Sequence, residues 1–498
     1  MNTIASTSLG RLEGRERGGT LLFAGIPYAA PPVGPLRFRP PEPHPGWAGV
    51  RDAQRFGPAA PQLPGEGLTN RVPVRWDEDC LTLNIATPSL DGPPRPVLVW
   101  IHGGGFRNGQ GAIPWYDGSS FARRGDLVTV TLNYRLGALG FAHLAEIGDE
   151  SLASSGLNGI LDQLAALEWV REHIAAFGGD PERVTVAGES AGAMCVGTLL
   201  GCPRASGLFR GAIAQSGAAH HVLQREIAGG VTERLCGHLG ARTLEALRAA
   251  PVERILDAQR AVEKDLLAEA RSANGSTLTM PFRPVLDGVL LPRSPLEMIR
   301  AGNAAPVALL AGTNHDETTL WESGPIDAAR LTRIAARYFD DPEAALETYR
   351  QARPGADARA LRIALTTDHM FRIPAIRMLE AHEAGGGRSF MYWFTWPSRA
   401  FEGRLGATHA LEIPFAFHTL DRAGVDVFLG PGPLPQELAD RMHSAWIAFV
   451  HSGDPHVEGL PEWPPYRPSR RSVMELGAHV RLLEDPDPGP RALWDGVL

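Results

Sequence analysis

Two short glycine-rich segments carry residue types from which an acyl-transfer site could be built. Residues 188–192, GESAG, match the pattern Gly-X-Ser-X-Gly, in which Ser190 would be the nucleophile. Residues 102–106, HGGGF, place three consecutive glycines after an apolar run, where backbone amides could stabilise a negatively charged oxygen. Each segment also has a simpler interpretation. Ser190 could be a helix-capping serine in a tight turn, and the three glycines could form a flexible loop. The elements around each segment are therefore needed to choose between the catalytic and the structural interpretation.

The elements around Ser190 favour a nucleophile. RVTVA predicts a buried strand and AMCVGTLL predicts a helix, so the serine lies in a strand–turn–helix segment. Such a turn needs glycine on both sides, because side chains there would collide with the neighbouring strand and helix. The hydroxyl would be exposed at a helix N-terminus, where the helix dipole favours developing negative charge. The amides of Gly104, Gly105 and Ala191 would then form the oxyanion hole.

Apolar strands alternate with helices along much of the chain. Strands are predicted within 95–106, 126–141, 306–317 and 388–396, and helices over 158–177 and 438–455. This alternation is typical of the α/β class, with a mostly parallel central sheet covered by helices on both faces. Two segments, 222–280 and 318–385, are predicted to be helical insertions around the mouth of the site, and no strand is expected in the first. We expect one catalytic domain over 1–498.

Composition and charge exclude several function classes. The net charge is −8 and no basic cluster stands out in the sequence, which argues against nucleic-acid binding. No run of about 18 apolar residues could span a membrane. No signal peptide is visible, so a cytoplasmic location is expected. The four cysteines have no zinc-like spacing and are interpreted as buried apolar residues. We expect no metal and no cofactor, and we favour a monomer.

Five motifs in order resemble the type-B carboxylesterase family, which includes cholinesterases and bacterial p-nitrobenzyl esterases. They are FAGIPYAAPPVGPLRF, EDCLTLNI, HGGGF, NYRLGALGF and GESAGA. The resemblance extends from about Gly10 to Pro455. It implies the α/β-hydrolase fold. It also implies a serine carboxylesterase that hydrolyses carboxylic esters to acid and alcohol through an acyl-enzyme.

The resemblance also implies which residues assist the nucleophile. In α/β-hydrolases the acid follows the serine along the chain, and the histidine follows the acid. AGTNHDETTLW resembles the loop that carries the family's acid, which would be Glu317. GATHALEIPFAF resembles the family's histidine loop, which would make His409 the base. From the residues alone, three alternatives stay open: Asp316 as the acid, and His315 or His443 as the base.

A few further positions can be placed through the resemblance. Glu189 and Ser216 match positions that lie near the triad in the family. His102 precedes the glycines and is expected to shape their loop rather than act as a base. The family usually has glycine after the acid and after the histidine, where this chain has Thr318 and Ala410. Neither change removes a reacting group.

The substrate is the part of the function that the sequence defines least. Five aromatic residues flank the predicted catalytic loops and could line an apolar pocket, or equally belong to the core or rim: Phe106, Trp115, Phe282, Trp321 and Phe415. We expect a medium-sized, uncharged or aromatic small-molecule ester. The same triad could also cleave an amide or a thioester. A non-catalytic binding protein is disfavoured, because all three triad groups are present.

Overall fold

The structure is a computed structural model that describes residues 2–64, 74–148, 150–272, 280–321 and 324–498. The strands in these ranges are β1 (Ile4–Thr7), β2 (Gly10–Glu13), β3 (Arg15–Arg17), β4 (Thr20–Pro27), β5 (Val50–Asp52), β6 (Thr82–Thr87), β7 (Arg95–Ile101), β8 (Val128–Leu132), β9 (Gly179–Glu189), β10 (Gly211–Gln215), β11 (Leu223–Gln224), β12 (Val285–Leu286), β13 (Ala308–Asn314), β14 (Ser389–Phe394), β15 (Ser472–Leu476) and β16 (Val480–Glu484). The helices are α1 (Ser119–Gly125), α2 (Gly137–Phe141), α3 (Asn158–His173), α4 (Ala191–Gly201), α5 (Arg225–Leu239), α6 (Leu244–Ala249), α7 (Val252–Ser272), α8 (Pro295–Arg300), α9 (Ala328–Ala335), α10 (Pro342–Ala352), α11 (Ala358–Thr367), α12 (Ile373–Ala384), α13 (Ile413–Ala416), α14 (Val425–Leu429), α15 (Gln436–Ser452) and α16 (Pro488–Leu493).

Eleven of the strands form one central sheet, in the order β16-β15-β14-β13-β10-β9-β7-β8-β6-β4-β3. The neighbours from β15 to β8 pair in parallel, whereas β16 at one edge and β6, β4 and β3 at the other pair antiparallel. The predicted parallel arrangement is therefore confirmed for the centre of the sheet. Since parallel strands end at a common edge, the loops that follow β7, β9, β10, β13 and β14 converge there.

Helices cover both faces of this sheet and create two hydrophobic cores. Along β7, Val97, Val99 and Ile101 contribute to one core, whereas Leu98 and Trp100 contribute to the other, as the alternation of side chains along a strand requires. Helices α3, α4 and α12 cover the first face, and α1, α13 and α15 cover the second. All seven residues of β7 are buried, as expected for a central strand that is covered on both faces.

The two segments predicted as insertions are largely helical where the structure describes them. Within 222–280, helices α5, α6 and α7 follow one another, and residues 273–279 lie outside the described residues. The expectation of no strand there was wrong, because β11 pairs in parallel with β12 in a separate two-stranded sheet. Within 318–385, helices α9 to α12 follow one another, and a π-helical turn at Asp368–Arg372 joins α11 to α12. Residues 322–323 of that segment lie outside the described residues.

None of the helices in the described ranges is both long enough and apolar enough to cross a membrane. All four cysteines are unpaired and buried, as interpreted from the sequence.

Candidate active site

Ser190 lies at the sharp turn between β9, which ends at Glu189, and α4, which begins at Ala191. Its backbone has φ 57° and ψ −126°, a conformation that residues other than glycine rarely adopt. The amide of Ser190 donates to the carbonyl oxygen of Gln215 at 2.9 Å, which fixes the turn to the neighbouring strand β10. Strain of this kind costs on the order of 1–3 kcal/mol and persists where the surrounding structure holds it.

The glycines that flank Ser190 are required by backbone contacts. A Cβ atom on Gly192 would lie 2.1 Å from the carbonyl oxygen of Ile101, which belongs to the adjacent strand β7. A Cβ atom on Gly188 would lie 2.5 Å from the backbone of Gly192 itself. Neither neighbour can move without displacing the sheet or the helix. The predicted steric role of these glycines is confirmed.

The glycine loop after β7 leaves amide groups available beside Ser190. A Cβ atom on Gly103 would lie 3.0 Å from the Cβ atom of Ser190, so the loop passes close to the serine. Gly104 and Gly105 have φ values of 116° and 61°, and their amides make no hydrogen bond within the described part of the chain. Ala191 is the first residue of α4, where helix geometry leaves amides without intrahelical acceptors.

His102 supports this loop. Its Nδ1 lies 2.8 Å from the carbonyl oxygen of Gly103, and its ring stacks on Tyr134 at 4.6 Å between centroids. Burial lowers the pKa of His102 to about 4, so the ring is neutral near pH 7. These contacts agree with the expectation that His102 shapes the loop.

His409 meets Glu317 at the convergent edge of the sheet. Its Nδ1 lies 2.6 Å from Glu317 Oε2, and both side chains are buried. Glu317 follows β13, and its other carboxylate oxygen, Oε1, accepts the amide of Asn314 at 2.8 Å. The carboxylate is therefore held on one side by backbone and presented on the other to the imidazole.

The alternatives that the sequence left open are engaged elsewhere. Asp316 Oδ1 lies 2.8 Å from Nδ1 of His315, and its Oδ2 accepts the amide of Ala407. His443, on α15, directs its Nδ1 to the carbonyl oxygen of Ala416. The structure brings neither Asp316 nor these two histidines to Ser190.

A second carboxylate reaches the other side of the His409 ring. Glu189 Oε1 lies 3.0 Å from His409 Nε2, although the two atoms lack hydrogen-bond geometry and neither has another partner among the described residues. Burial alone would lower the pKa of His409, but Glu189 and Glu317 raise it to about 9. Burial raises the pKa of Glu189 to about 8, a shift that the charge of His409 opposes. The imidazole is thus held between two carboxylates that favour its protonated form.

A buried polar network, which the sequence reasoning missed, supports this arrangement. Glu412 accepts the side-chain amide of Gln215 at 3.1 Å and that of Asn314 at 2.6 Å. Gln215 Oε1 in turn accepts the indole N–H of Trp446 at 2.9 Å. Burial and the charge of Glu317 raise the pKa of Glu412. The available signal was its position three residues after His409 in the HALE segment.

Ser216 lies beside the network without joining it. It is buried at the end of β10, has φ 52°, and its amide donates to the carbonyl oxygen of Gly312 at 2.8 Å. Its hydroxyl has no hydrogen-bond partner within the described ranges. The position fits a residue near the triad, but the contacts of the hydroxyl show no role for it.

A cavity of about 190 Å³ opens onto Ser190 and His409. Gly104, Gly105 and Glu189 line it together with two of the predicted pocket aromatics, Trp115 and Trp321. The Trp321 ring lies 4.8 Å from the imidazole of His409, as does the ring of Phe371, which the sequence reasoning did not single out.

The other three predicted pocket aromatics belong to the cores. Phe106 is fully buried and packs edge-on against Phe141 at 5.3 Å. Phe415 is fully buried and packs against Phe394 at 5.0 Å, and Phe282 is buried in the core that contains α4. They are absent from the described lining of the cavity. The pocket assignment is therefore narrowed to Trp115 and Trp321.

The two departures from the family pattern have distinct local consequences. Ala410 adopts φ 65°, a left-handed conformation that explains why glycine is the usual residue after the histidine. Thr318 instead makes a contact, since its hydroxyl lies 2.7 Å from that of Thr366 on α11. Neither residue displaces Glu317 or His409.

Comparisons with known proteins identify the family to which the chain is related. The sequence model of the carboxylesterase family matches residues 1–488. The chain is 38% identical over 490 residues to a phenmedipham hydrolase of Pseudarthrobacter oxydans, covering 95% of each chain. It is 37% identical over 498 residues to the para-nitrobenzyl esterase of Bacillus subtilis, covering 97% of this chain and 96% of that one.

Solved structures give the same result for the fold. A carboxylesterase of Geobacillus stearothermophilus, determined at pH 6.2, superposes with a TM-score of 0.87 and 40% identity, covering 99% of this chain and 100% of that chain. A p-nitrobenzyl esterase structure superposes with a TM-score of 0.87 and 36% identity, covering 99% of each chain. The predicted fold and activity are confirmed: the chain belongs to the carboxylesterase family, has the α/β-hydrolase fold, and is a carboxylic ester hydrolase.

Proposed function

We propose that this esterase acts through Ser190 as the nucleophile, His409 as the general base and Glu317 as the residue that orients the base. The observation that carries the proposal is the 2.6 Å contact between Glu317 Oε2 and His409 Nδ1, at a cavity that Ser190 also lines. A serine hydroxyl reacts poorly by itself and needs such a base, which in turn needs an acid to fix its tautomer.

In the first step, His409 Nε2 takes the proton of Ser190 Oγ as Oγ attacks the ester carbonyl. The oxyanion that forms is stabilised by the amides of Gly104, Gly105 and Ala191; loss of one such donor typically costs about 3–4 kcal/mol of barrier. The imidazolium then gives its proton to the leaving alkoxide, which departs as the alcohol. Water, deprotonated by the same imidazole, cleaves the acyl-enzyme and releases the acid.

Glu189 and Ser216 complete the proposal as residues that support the triad. The charge of Glu189 at 3.0 Å from His409 Nε2 stabilises the imidazolium that forms with the oxyanion. Burial beneath Trp321 and Phe371 limits the access of water to the ring, which strengthens this interaction. Ser216 supports the backbone next to Ser190 rather than a proton transfer.

We infer that residues 1–498 form one catalytic domain whose helical segments 222–280 and 318–385 surround the mouth of the site. The presence of Met280, Leu320 and Phe371 in the cavity lining supports this inference. The cytoplasmic location, the monomeric state and the small-molecule ester substrate stay predictions. Fractionation of cells would check the location, and light scattering of the purified protein would check the oligomeric state.

The nucleophile is tested by Ser190→Ala. We expect the variant to lose turnover of p-nitrophenyl esters by at least about 10⁴-fold while its thermal unfolding stays cooperative. A burst of p-nitrophenol in the wild-type protein, equal to the enzyme concentration, would report the acyl-enzyme. Ser206→Ala, which changes an exposed serine away from the cavity, serves as the matched control. A p-nitroanilide of the same acyl group tests amide cleavage. Retained ester turnover in Ser190→Ala would refute the assignment.

A further inference from the structure

A series of hydrogen bonds joins the glycine loop, residues 102–106, to helix α7, and the proposed mechanism does not use it. Arg107, the residue after the loop, donates from Nη1 to Glu263 Oε2 at 3.2 Å. Glu263 Oε1 accepts the side-chain amide of Gln259 at 3.0 Å, from one turn earlier on α7. Gln259 Oε1 in turn accepts the backbone amide of Ala138, in the first turn of α2, at 2.9 Å. Side chains of α7 thus connect the loop to α2.

The series returns to the glycine loop through α2. The amide of Gly137, the residue before Ala138, donates to the carbonyl oxygen of Phe106 at 2.6 Å. Since Phe106 and Arg107 are consecutive, both ends of the series meet at the same part of the loop. Gln259 is its buried centre, with 3% of its surface exposed. Its oxygen accepts an amide at the start of α2, where helix geometry leaves amides without an acceptor inside the helix.

The carbonyl oxygens of the glycine loop determine where its free amides point. The carbonyl oxygen of Gly104 accepts the amides of Arg107 and Asn108, at 3.2 and 3.1 Å. Because the peptide unit is planar and trans, fixing this oxygen also fixes the N–H of Gly105, which points in the opposite direction. The position of Arg107 therefore controls the direction of one proposed oxyanion donor.

A separate contact attaches the end of this segment independently of α7. Gln62 Oε1 accepts the amide of Gly109 at 2.9 Å, and Gln62 Nε2 donates to the carbonyl oxygen of Gly109, also at 2.9 Å. Gln62 is buried and lines the cavity. If the contact to α7 is removed, the segment stays attached at Gly109. The expected consequence is therefore a displaced donor rather than an unfolded loop.

We propose that Gln259 is a positioning residue for the oxyanion hole. By holding Ala138 and Glu263 in place, it fixes the segment from Phe106 to Arg107 and, through that segment, the N–H of Gly105. Placement matters because an oxyanion donor acts at about 2.7–3.1 Å from the charged oxygen. The inference rests on the proposed function, since Gly105 is a donor only in that mechanism. It gives α7 a part in the reaction, although no described residue of α7 lines the cavity.

Gln259→Met tests the role of the side chain, because it removes both hydrogen bonds and keeps a side chain of similar length. We expect kcat/KM for a neutral p-nitrophenyl ester to fall by about 10- to 100-fold, since outright loss of one donor lowers kcat by about 10²- to 10³-fold. The acidic limb of the pH profile should keep its position, because Gln259 makes no contact with His409 or Glu317.

Two ketones separate a positioning role from a general loss of structure. With an alkyl trifluoromethyl ketone, Ser190 Oγ bonds to the carbonyl carbon, the π electrons move to the oxygen, and the hydroxyl proton goes to His409. An oxyanion therefore forms in the site. The methyl ketone of the same chain length binds without this step. Gln259→Met should weaken binding of the trifluoromethyl ketone by about 10- to 100-fold and leave that of the methyl ketone unchanged, which lowers the ratio of the two affinities.

A double variant, Gln259→Glu with Glu263→Gln, exchanges the two side chains and keeps every hydrogen bond of the series. The carboxylate now at position 259 can accept the amide of Ala138 and the new side-chain amide from position 263. The amide oxygen at position 263 can accept Arg107, and the net charge is unchanged. We expect both kcat/KM and the ratio of ketone affinities to return towards the wild-type values.

Glu269→Gln is the matched control on α7, because Glu269 forms an exposed ion pair with Arg234 at 2.6 Å. It should leave kcat/KM and the ratio of ketone affinities unchanged. If Gln259→Met does not unfold cooperatively, Arg107→Met takes its place and should lower the ratio in the same direction. An unchanged ratio in the variant tested, with or without a loss of turnover, would overturn the inference. Equal binding of the two ketones by the wild type would overturn the proposed function instead.

Discussion

The first prediction concerns the effect of Glu189 on the pKa of the general base, His409. Its Oε1 lies 3.0 Å from His409 Nε2, the atom that must accept the proton of Ser190, and both side chains are buried. Glu189→Gln keeps the shape of the side chain and removes the charge. Without that charge the imidazolium is less stable, so the pKa of His409 should fall. Because the base is active only when neutral, activity should then extend to lower pH.

The magnitude follows from the geometry. Two unit charges 3.0 Å apart interact by about 5.5 kcal/mol at an effective dielectric constant of about 20, equivalent to about four pKa units. This value is an upper limit, because burial raises the pKa of Glu189 itself to about 8, so the carboxyl is mostly protonated at pH 7. The pKa of His409 lies about 2.5 units above its ordinary value of 6.5, and Glu317 supplies part of that increase. We therefore expect a decrease of about one to two units in the glutamine variant.

The assay is kcat/KM for a neutral p-nitrophenyl ester as a function of pH, since its acidic limb reports the base of the free enzyme. Glu412→Gln is the matched control, because Glu412 is equally buried but bonds to Gln215 and Asn314 instead of the imidazole. Its acidic limb should move less than that of Glu189→Gln. An acidic limb in Glu189→Gln that coincides with the wild-type limb would show that the carboxylate does not set the pKa of His409.

Two further predictions concern the framework of the site. Gly192→Ala should destabilise the protein by about 1–3 kcal/mol in urea unfolding and lower kcat, because the new Cβ would lie 2.1 Å from the carbonyl oxygen of Ile101; wild-type stability and turnover would contradict this. Arg135→Gln should reduce the free energy of unfolding by about 3–5 kcal/mol, because it leaves Asp162 buried without the guanidinium now 2.6 Å away. A loss below about 1 kcal/mol would show that the pair contributes little.

The turn around Ser190 could be predicted from the sequence because its causes are local. Gly188 and Gly192 are needed within four residues of each other, and the strand and helix on either side have clear apolar patterns. The resemblance to the family supplied Glu317 and His409, which the residues alone left open against Asp316. Their pairing depends on β13 and β14 lying side by side, which no local pattern encodes.

The last two strands at one edge of the central sheet were not predicted from the sequence. Strands β15 and β16 escaped notice because they are short and carry charges within their span, as Glu475 and Arg481 show. Three of the five aromatic residues predicted to line the pocket lie in the cores instead, for a different reason. Phe106 and Trp115 are both aromatic residues near the glycine loop. Only the packing decides that Phe106 is enclosed in one core, whereas Trp115 packs in the other core and also lines the cavity.

The acidic groups around the imidazole act on the substrate as well as on the base. The carboxylates of Glu189, Glu317 and Glu412 gather around the imidazole, where they favour the imidazolium of the transition state. The same groups disfavour a negative charge on the part of the substrate nearest His409. The arrangement that stabilises the imidazolium therefore favours the uncharged ester expected from the sequence.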